Sequence, residues 1–319
     1  MSLPSLIAKS NDPTEDPVSS VPSVPTVSTV STVTTNVGTG LQGVTYTHTK
    51  LGPECIKVEI PTFGEQFKPS DPEHPFYTYH DKAFSKSRYK FGTPLPLHVG
   101  QFAIDKSAHV VNVLRVPIKS AGNHTIVLPK ELAYIQKFVE YCCLYEKSFN
   151  PNFENLFAHI TVEKKTVNPG ETQRVPGFHV DGFQGSKFPT KHTIEHSYLW
   201  SSDCGTEFCP QPYFIEHIDE SKFMVFDEFN KQAQEGNVFK CMANNVYIFD
   251  PYMVHRSPVI KTTTERLLIR ITFEYQKLLD PNDTVNPNML FDVPYKFDVR
   301  NRLGSFDFPV DIRHYGFEK

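Results

Sequence analysis

No stretch of 18 consecutive apolar residues occurs in the sequence, so no helix long enough to cross a membrane is expected. Nor does a basic segment followed by an apolar core open it, so no secretory signal is expected. The six cysteines (Cys55, Cys142, Cys143, Cys204, Cys209, Cys241) contain no CxxC pair and, with no secretory signal, read as reduced thiols in a cytoplasmic protein. Cys204 and Cys209 lack a second Cys or His pair at finger spacing, which argues against a zinc finger. A basic excess is missing too: 32 Lys+Arg against 36 Asp+Glu leave a net charge of −4, so no nucleic-acid partner is expected. No GxGxxG, P-loop or nucleophile elbow is present. Glycine is scarce, 16 residues against 26 proline, while aromatics reach 13% with 26 Phe. That bias favours strands, irregular loops and aromatic-lined clefts over a helical bundle. With 39% hydrophobic residues in 319, the chain is not wholly disordered and has room for one large domain.

Residues 1–44 form a tail rich in Ser, Thr, Val and Pro (SSVPSVPTVSTVSTVTTNVGTG). Repeated proline and the near absence of aromatics leave nothing to offset the entropy of ordering it, so it is expected to be disordered. Residues 45–319 read as a single domain without a second linker. Residues 131–147 predict a helix whose Leu132, Ile135, Phe138, Val139, Cys142, Cys143 and Tyr145 fall on one stripe, as for a helix backing a sheet. Strands are expected within 94–104, 109–118 and 124–128, and afterwards in LFAHITVEKK, VPGFHVDG, HSYLWSS, YFIEHI, FKCMANNVYIFD and RLLIRITFEY. The fold class expected is mainly β with supporting helices, a sandwich or barrel whose core spans about 155–275, with residues 278–319 wrapping it.

Two strings carry the chemistry: Arg174-Val-Pro-Gly-Phe-His179-Val-Asp181-Gly182 and Val246-Tyr-Ile-Phe-Asp-Pro-Tyr-Met-Val-His255-Arg256. On an extended segment residues i and i+2 share a face, so His179 and Asp181 can address one centre, and His255 adds a second imidazole. Two imidazoles and one carboxylate leave open positions on a ferrous ion. HxD alone is weak, since chance supplies about one in a chain with 13 histidines, and a second stands at His217-Ile-Asp219. His179 is the better candidate because it precedes Gly182, where a barrel mouth would bend, and leaves 76 positions to His255 for intervening strands, against 38 from His217. His217 and Asp219 read as a polar pair at a strand edge.

Arg266 follows His255 by 11 positions and opens an alternating segment in which Arg266, Leu268, Arg270 and Thr272 share one face. The other face, Leu267, Ile269, Ile271 and Phe273, is apolar and can pack against an outer layer, which turns the arginines into the barrel. A guanidinium there needs an anion, and its planar fork suits a carboxylate. A carboxylate beside an open ferrous site has the shape of 2-oxoglutarate.

HVDG, FDPYMVHRSP and ERLLIR together resemble the Fe(II)/2-oxoglutarate-dependent dioxygenase superfamily, over roughly residues 155–275. The resemblance implies a double-stranded β-helix (jelly-roll, cupin-like) core, Fe(II) on His179, Asp181 and His255, and Arg266 on the far carboxylate of the co-substrate 2-oxoglutarate, with O2 as oxidant. Spacings of 11 and 15 from His255 to Arg266 and Arg270 are similar to those of the taurine dioxygenase branch, where the second arginine helps hold an acidic substrate group. Arg270 is therefore a candidate for substrate binding. An Asp at 181, rather than Ala or Gly, implies hydroxylation or a related C–H oxidation such as desaturation or ring closure, and not halogenation.

His196 and Tyr198 share a face of the next expected strand; Tyr198 is a candidate donor to the co-substrate, beside the plainer reading of both as packed barrel residues. Arg256, adjacent to His255, faces the other way and reads as structural, as do Trp200 and the phenylalanines. The expected partner is a small molecule, an amino acid or other carboxylate. Two rivals stand beside this reading: a non-catalytic jelly-roll binding protein, and a cupin-like iron oxygenase that does not use 2-oxoglutarate.

Overall fold

Period-two alternation along Thr264–Glu274 buries Leu267, Ile269, Ile271 and Phe273 on one side and sets Arg266, Leu268, Arg270 and Thr272 on the other. The computed structural model of the protein describes residues 32–34, 47–49, 51–60, 73–76, 85–106, 109–182, 194–219, 223–275 and 283–289, and that strand runs through its middle. The strands in chain order are β1 (Thr32–Thr34), β2 (Thr47–Thr49), β3 (Cys55–Glu59), β4 (Leu97–Gln101), β5 (Val113–Lys119), β6 (Thr125–Pro129) and β7 (Phe157–Val167). They continue as β8 (Ile194–Ser201), β9 (Glu207–Phe208), β10 (Phe239–Lys240), β11 (Asn245–Phe249), β12 (His255–Arg256) and β13 (Thr264–Glu274). The helices are α1 (Gln136–Phe149) and α2 (Val225–Gln232).

Six strands form an antiparallel sheet in the order β4-β11-β8-β13-β7-β5, and three short ones form a second sheet in the order β10-β9-β12. The second sheet is lengthened by an antiparallel bridge between His179 and His255. The two sheets meet at Phe208 on β9 and Phe249 on β11, whose ring centroids are 5.2 Å apart. The architecture is mainly β with few helices, a jelly roll of the cupin-like class. The outer face of the large sheet, with Ile160, Val162, Trp200, Ile248, Ile269 and Ile271, joins Phe138, Val139, Cys142 and Cys143 of α1 in one buried cluster. Each such large side chain contributes about 1.5–3 kcal/mol by leaving water. Trp200 keeps its one polar atom satisfied by donating Nε1–H to the Phe102 carbonyl at 3.0 Å.

Several expected boundaries move, each for a local reason. The helix expected over 131–147 starts as a 3-10 turn, Lys130–Ile135, before becoming α-helical. The segment 175–182 is not a strand, because Pro176 and Gly177 (φ 76°) break it and only His179 pairs. YFIEHI is a loop and turn whose Tyr213, Ile215 and Ile218 are buried in a smaller cluster with Tyr89 and Phe229, so its apolar residues answer a loop core and not a pleat. FKCMANNVYIFD divides at Asn244, whose φ of 60° suits asparagine in a turn. The helix α2 carries buried Val225 and Phe229 four positions apart, too short a signal to read from sequence. Of the wrapping segment, 283–289 is described: Thr284 N–H donates to Leu114 O at 2.7 Å, and Asn286 donates to the carbonyls of Pro117 and Val127. The remainder of 278–319 lies outside the described residues. So does the tail 1–44 apart from β1, which pairs antiparallel with β2.

Candidate metal centre

Two backbone hydrogen bonds join the residues that the HxD string and the distant histidine supply. His179 N–H donates to His255 O and His255 N–H to His179 O, both at 2.9 Å. This pair sets the imidazoles side by side, with ring centroids 4.6 Å apart. One donor atom from each of His179, Asp181 and His255 lies within 4.8 Å of the others. Among the described residues this is the one such group of three or more His, Cys, Asp or Glu. His217 and Asp219 sit exposed in a loop and join no such group.

Each imidazole is oriented from behind. Nδ1 of His179 lies 3.0 Å from Gly177 O, and Nδ1 of His255 lies 2.8 Å from Met253 O. A carbonyl only accepts, so Nδ1 carries the hydrogen and Nε2 keeps its lone pair for a metal. The rings are also packed: Phe208 and Phe249 lie 5.4 and 5.2 Å from His255, and Phe226 of α2 lies 6.0 Å from His179. Burial lowers both imidazoles, His255 to about 4, which keeps them neutral and able to ligate. For Asp181 burial acts upward, but Arg270 and the two imidazoles outweigh it and hold the carboxyl below its ordinary range. The donor set is therefore two neutral imidazoles and one carboxylate, the hard-to-borderline set that suits ferrous iron.

The sheet alternation decides where the other candidates stand. Arg270 reaches the centre, where its Nη2 is 2.6 Å from Asp181 Oδ2 and 2.8 Å from Ser197 Oγ. Its guanidinium also lies over the Phe249 ring, 5.5 Å from the centroid. Arg266 is buried at 1% exposure on the same face, about 13 Å further along β13 by strand rise. It donates Nε–H to Cys204 O at 2.9 Å and Nη1–H to Gln173 Oε1, while Nη2 is buried without a hydrogen-bond partner among the described residues. An orphaned guanidinium nitrogen of this kind fits an anionic ligand.

Tyr198 is not brought to the centre, which corrects its candidacy as a co-substrate donor. It faces α1, on the side of β8 opposite Ser197, and its hydroxyl donates to Glu146 at 2.9 Å. His196 shares that face and pairs with the same carboxylate at 2.7 Å. Arg256 points away as expected, bonded to Glu207 and Glu235 and stacked 4.4 Å over Phe178. Sequence reasoning missed Ser197, Gln173, Phe226 and the two orienting carbonyls. Ser197 alone had a usable signal, since alternation along HSYLWSS puts it on the face opposite His196 and Tyr198.

No family model matches the chain, and no curated protein matches it. Among solved structures it is similar to EvdO2 from Micromonospora carbonacea var. aurantiaca, at 12% identity and a TM-score of 0.29, over 46% of this chain and 65% of that one. It thus spans just under two thirds of that relative's length. It is also similar to AviO1 from Streptomyces viridochromogenes Tue57 (12% identity, TM-score 0.32, 63% of this chain and 98% of that one). A third similar structure is EvdO2 complexed with 2-oxoglutarate (11% identity, TM-score 0.31, 68% of this chain and 94% of that one). No helix among the described residues is long and apolar enough to cross a membrane.

Proposed function

We propose that the protein is an Fe(II)- and 2-oxoglutarate-dependent oxygenase that hydroxylates, or otherwise oxidises a C–H bond of, a small carboxylate-bearing substrate such as an amino acid. The observation that carries this reading is the convergence of His179, Asp181 and His255, with both Nδ1 atoms held by backbone carbonyls, on the same side of the sheet as the orphaned Nη2 of Arg266. When bound, ferrous iron with 2-oxoglutarate and O2 supplies the oxidising chemistry, releasing succinate and CO2.

The chain's own part is to bind, orient and shield. His179, Asp181 and His255 would hold the metal, and the carbonyls of Gly177 and Met253 keep the two imidazoles in the ligating tautomer. Arg266 would receive the far carboxylate of the co-substrate as a charge-assisted pair. Arg270 holds Asp181 ionised, and a substrate carboxylate would share that guanidinium with Asp181 and Ser197. Phe208, Phe226 and Phe249 keep water from the imidazoles' flanks.

Anaerobic mixing of the metal-free protein with Fe(II) and 2-oxoglutarate tests this. The expected result is the visible charge-transfer band of the chelate in wild type and its loss in His179→Ala. Bound iron without a band would favour an iron oxygenase that does not use 2-oxoglutarate. No iron binding would leave a jelly-roll binding protein.

A further inference from the structure

Arg266 is a buried cation whose guanidinium has two hydrogen-bond partners among the described residues, both neutral oxygens, Cys204 O and Gln173 Oε1. The nearby carboxylates are engaged elsewhere: Glu163 lies 3.3 Å from Arg174 Nη1, and Asp203 Oδ1 accepts the Cys204 N–H at 2.8 Å. Gln173 is itself 95% buried, at 5% exposure, and its amide cannot turn over. Its Nε2 donates to Glu163 O at 2.9 Å and to Arg266 O at 3.5 Å, and since carbonyls only accept, Oε1 must face the guanidinium. A glutamate would fill the same volume and give Arg266 a buried ion pair, the usual remedy for a desolvated charge. The neutral amide supplies the geometry of that pair without its charge, and Nη2 has no hydrogen-bond partner among the described residues.

We infer that Gln173 is a positioning residue that fixes Arg266 through a neutral contact, leaving its charge uncompensated so that this end of the barrel selects a ligand carboxylate over an uncharged group. The inference rests on the oxygenase reading and adds to it the residue that sets the selectivity of the co-substrate's far end. A glutamine in this place discriminates by leaving a cost that only an anion removes.

The test compares two keto acids on the Fe(II)-loaded protein under anaerobic conditions, reading the chelate band. One is 2-oxoglutarate; the other is 2-oxopentanoate, with the same keto-acid head and chain length but no far carboxylate. Wild type is expected to prefer 2-oxoglutarate by at least about ten-fold, the scale of one charge-assisted pair. Gln173→Glu is expected to abolish that preference by weakening 2-oxoglutarate alone, with Fe(II) and 2-oxopentanoate affinities unchanged. Gln173→Met, uncharged and of similar size but without the acceptor, is expected to keep a preference for 2-oxoglutarate that is smaller than wild type's. Equal weakening of both keto acids in Gln173→Glu, or an undiminished preference there, overturns the inference while the oxygenase reading stands. If Gln173→Glu does not take up Fe(II), Gln173→Met decides: a preference lost altogether with Fe(II) binding intact means that Gln173 acts through its hydrogen bond and not by neutrality, which overturns the inference. A wild-type protein that binds Fe(II) but neither keto acid removes the 2-oxoglutarate-dependent reading, and this inference with it.

Discussion

Gly182 shows how little room the centre has. Its N–H donates to Pro251 O at 2.5 Å, tying the HxD segment to the loop that carries His255. A Cβ at 182 would stand 2.7 Å from a Tyr252 ring carbon and 2.9 Å from Pro251 O, and the second of these is backbone that cannot swing aside. Gly182→Ala therefore has to push Asp181 away from His255. Expected is a loss of Fe(II) affinity of about ten-fold or more, with only about 1–3 kcal/mol taken from the fold. Isothermal titration of Fe(II) beside a denaturant curve measures both, and unchanged affinity would refute the close-approach argument. At this scale the sequence was most informative for His179, Asp181 and His255, because i, i+2 geometry and ligand chemistry are local properties. It said nothing of Gly177 O or Met253 O, since every residue has a carbonyl and only the folded loop aims one at an imidazole.

Buried charges tie the elements together. Lys119, at the end of β5, is fully buried and donates to the carbonyls of Ser120, Phe153, Glu154 and Leu156 at 2.7–3.3 Å. It thereby closes the turn that leads from α1 into β7. Lys119→Met keeps the packing but takes a donor from each of those four carbonyls. Among the described residues only Glu154 O (from Gly122 N–H) and Phe153 O (from Leu156 N–H) keep a backbone partner outside the strands, and about 2–4 kcal/mol of stability is expected to go. A urea titration with unchanged midpoint would show that water takes the lysine's place. Asp250 plays the corresponding part between β11 and β12, where its Oδ1 accepts the N–H groups of Tyr252 and Met253 at 2.6 and 3.0 Å. Burial raises its carboxyl to about 6, above the ordinary 3.8. The folded state then binds this proton more readily than the unfolded chain, so the group adds stability as pH falls from about 7 to about 5. Asp250→Asn cannot titrate; its melting temperature should fall more, or rise less, than wild type's over that interval. Calorimetry at the two pH values checks the sign.

Among the described residues the two main antiparallel sheets face each other with polar sides around one centre, and α1 closes the outer side of the larger one. A ligand held by both the HxD segment and β12 links distant parts of the chain, so it should stabilise the native state as a unit. Fe(II) at a hundred times its dissociation constant is expected to add about 2.7 kcal/mol, or roughly 5 °C in Tm. Anaerobic thermal melts of wild type and His179→Ala measure it, and an equal rise in both would place the iron elsewhere. The sequence by itself determined the mainly β class, the apolar and arginine faces of β13, and the shared side of His179 and Asp181, because alternation is written in neighbouring residues. Only the tertiary structure decided that Tyr198 turns to Glu146 and not to the centre, because two faces of a strand look alike until a helix covers one of them. It alone brought Gln173 to Arg266 across 93 positions and Arg270 to Asp181, since contacts between remote residues are set by how sheets close and carry no local pattern.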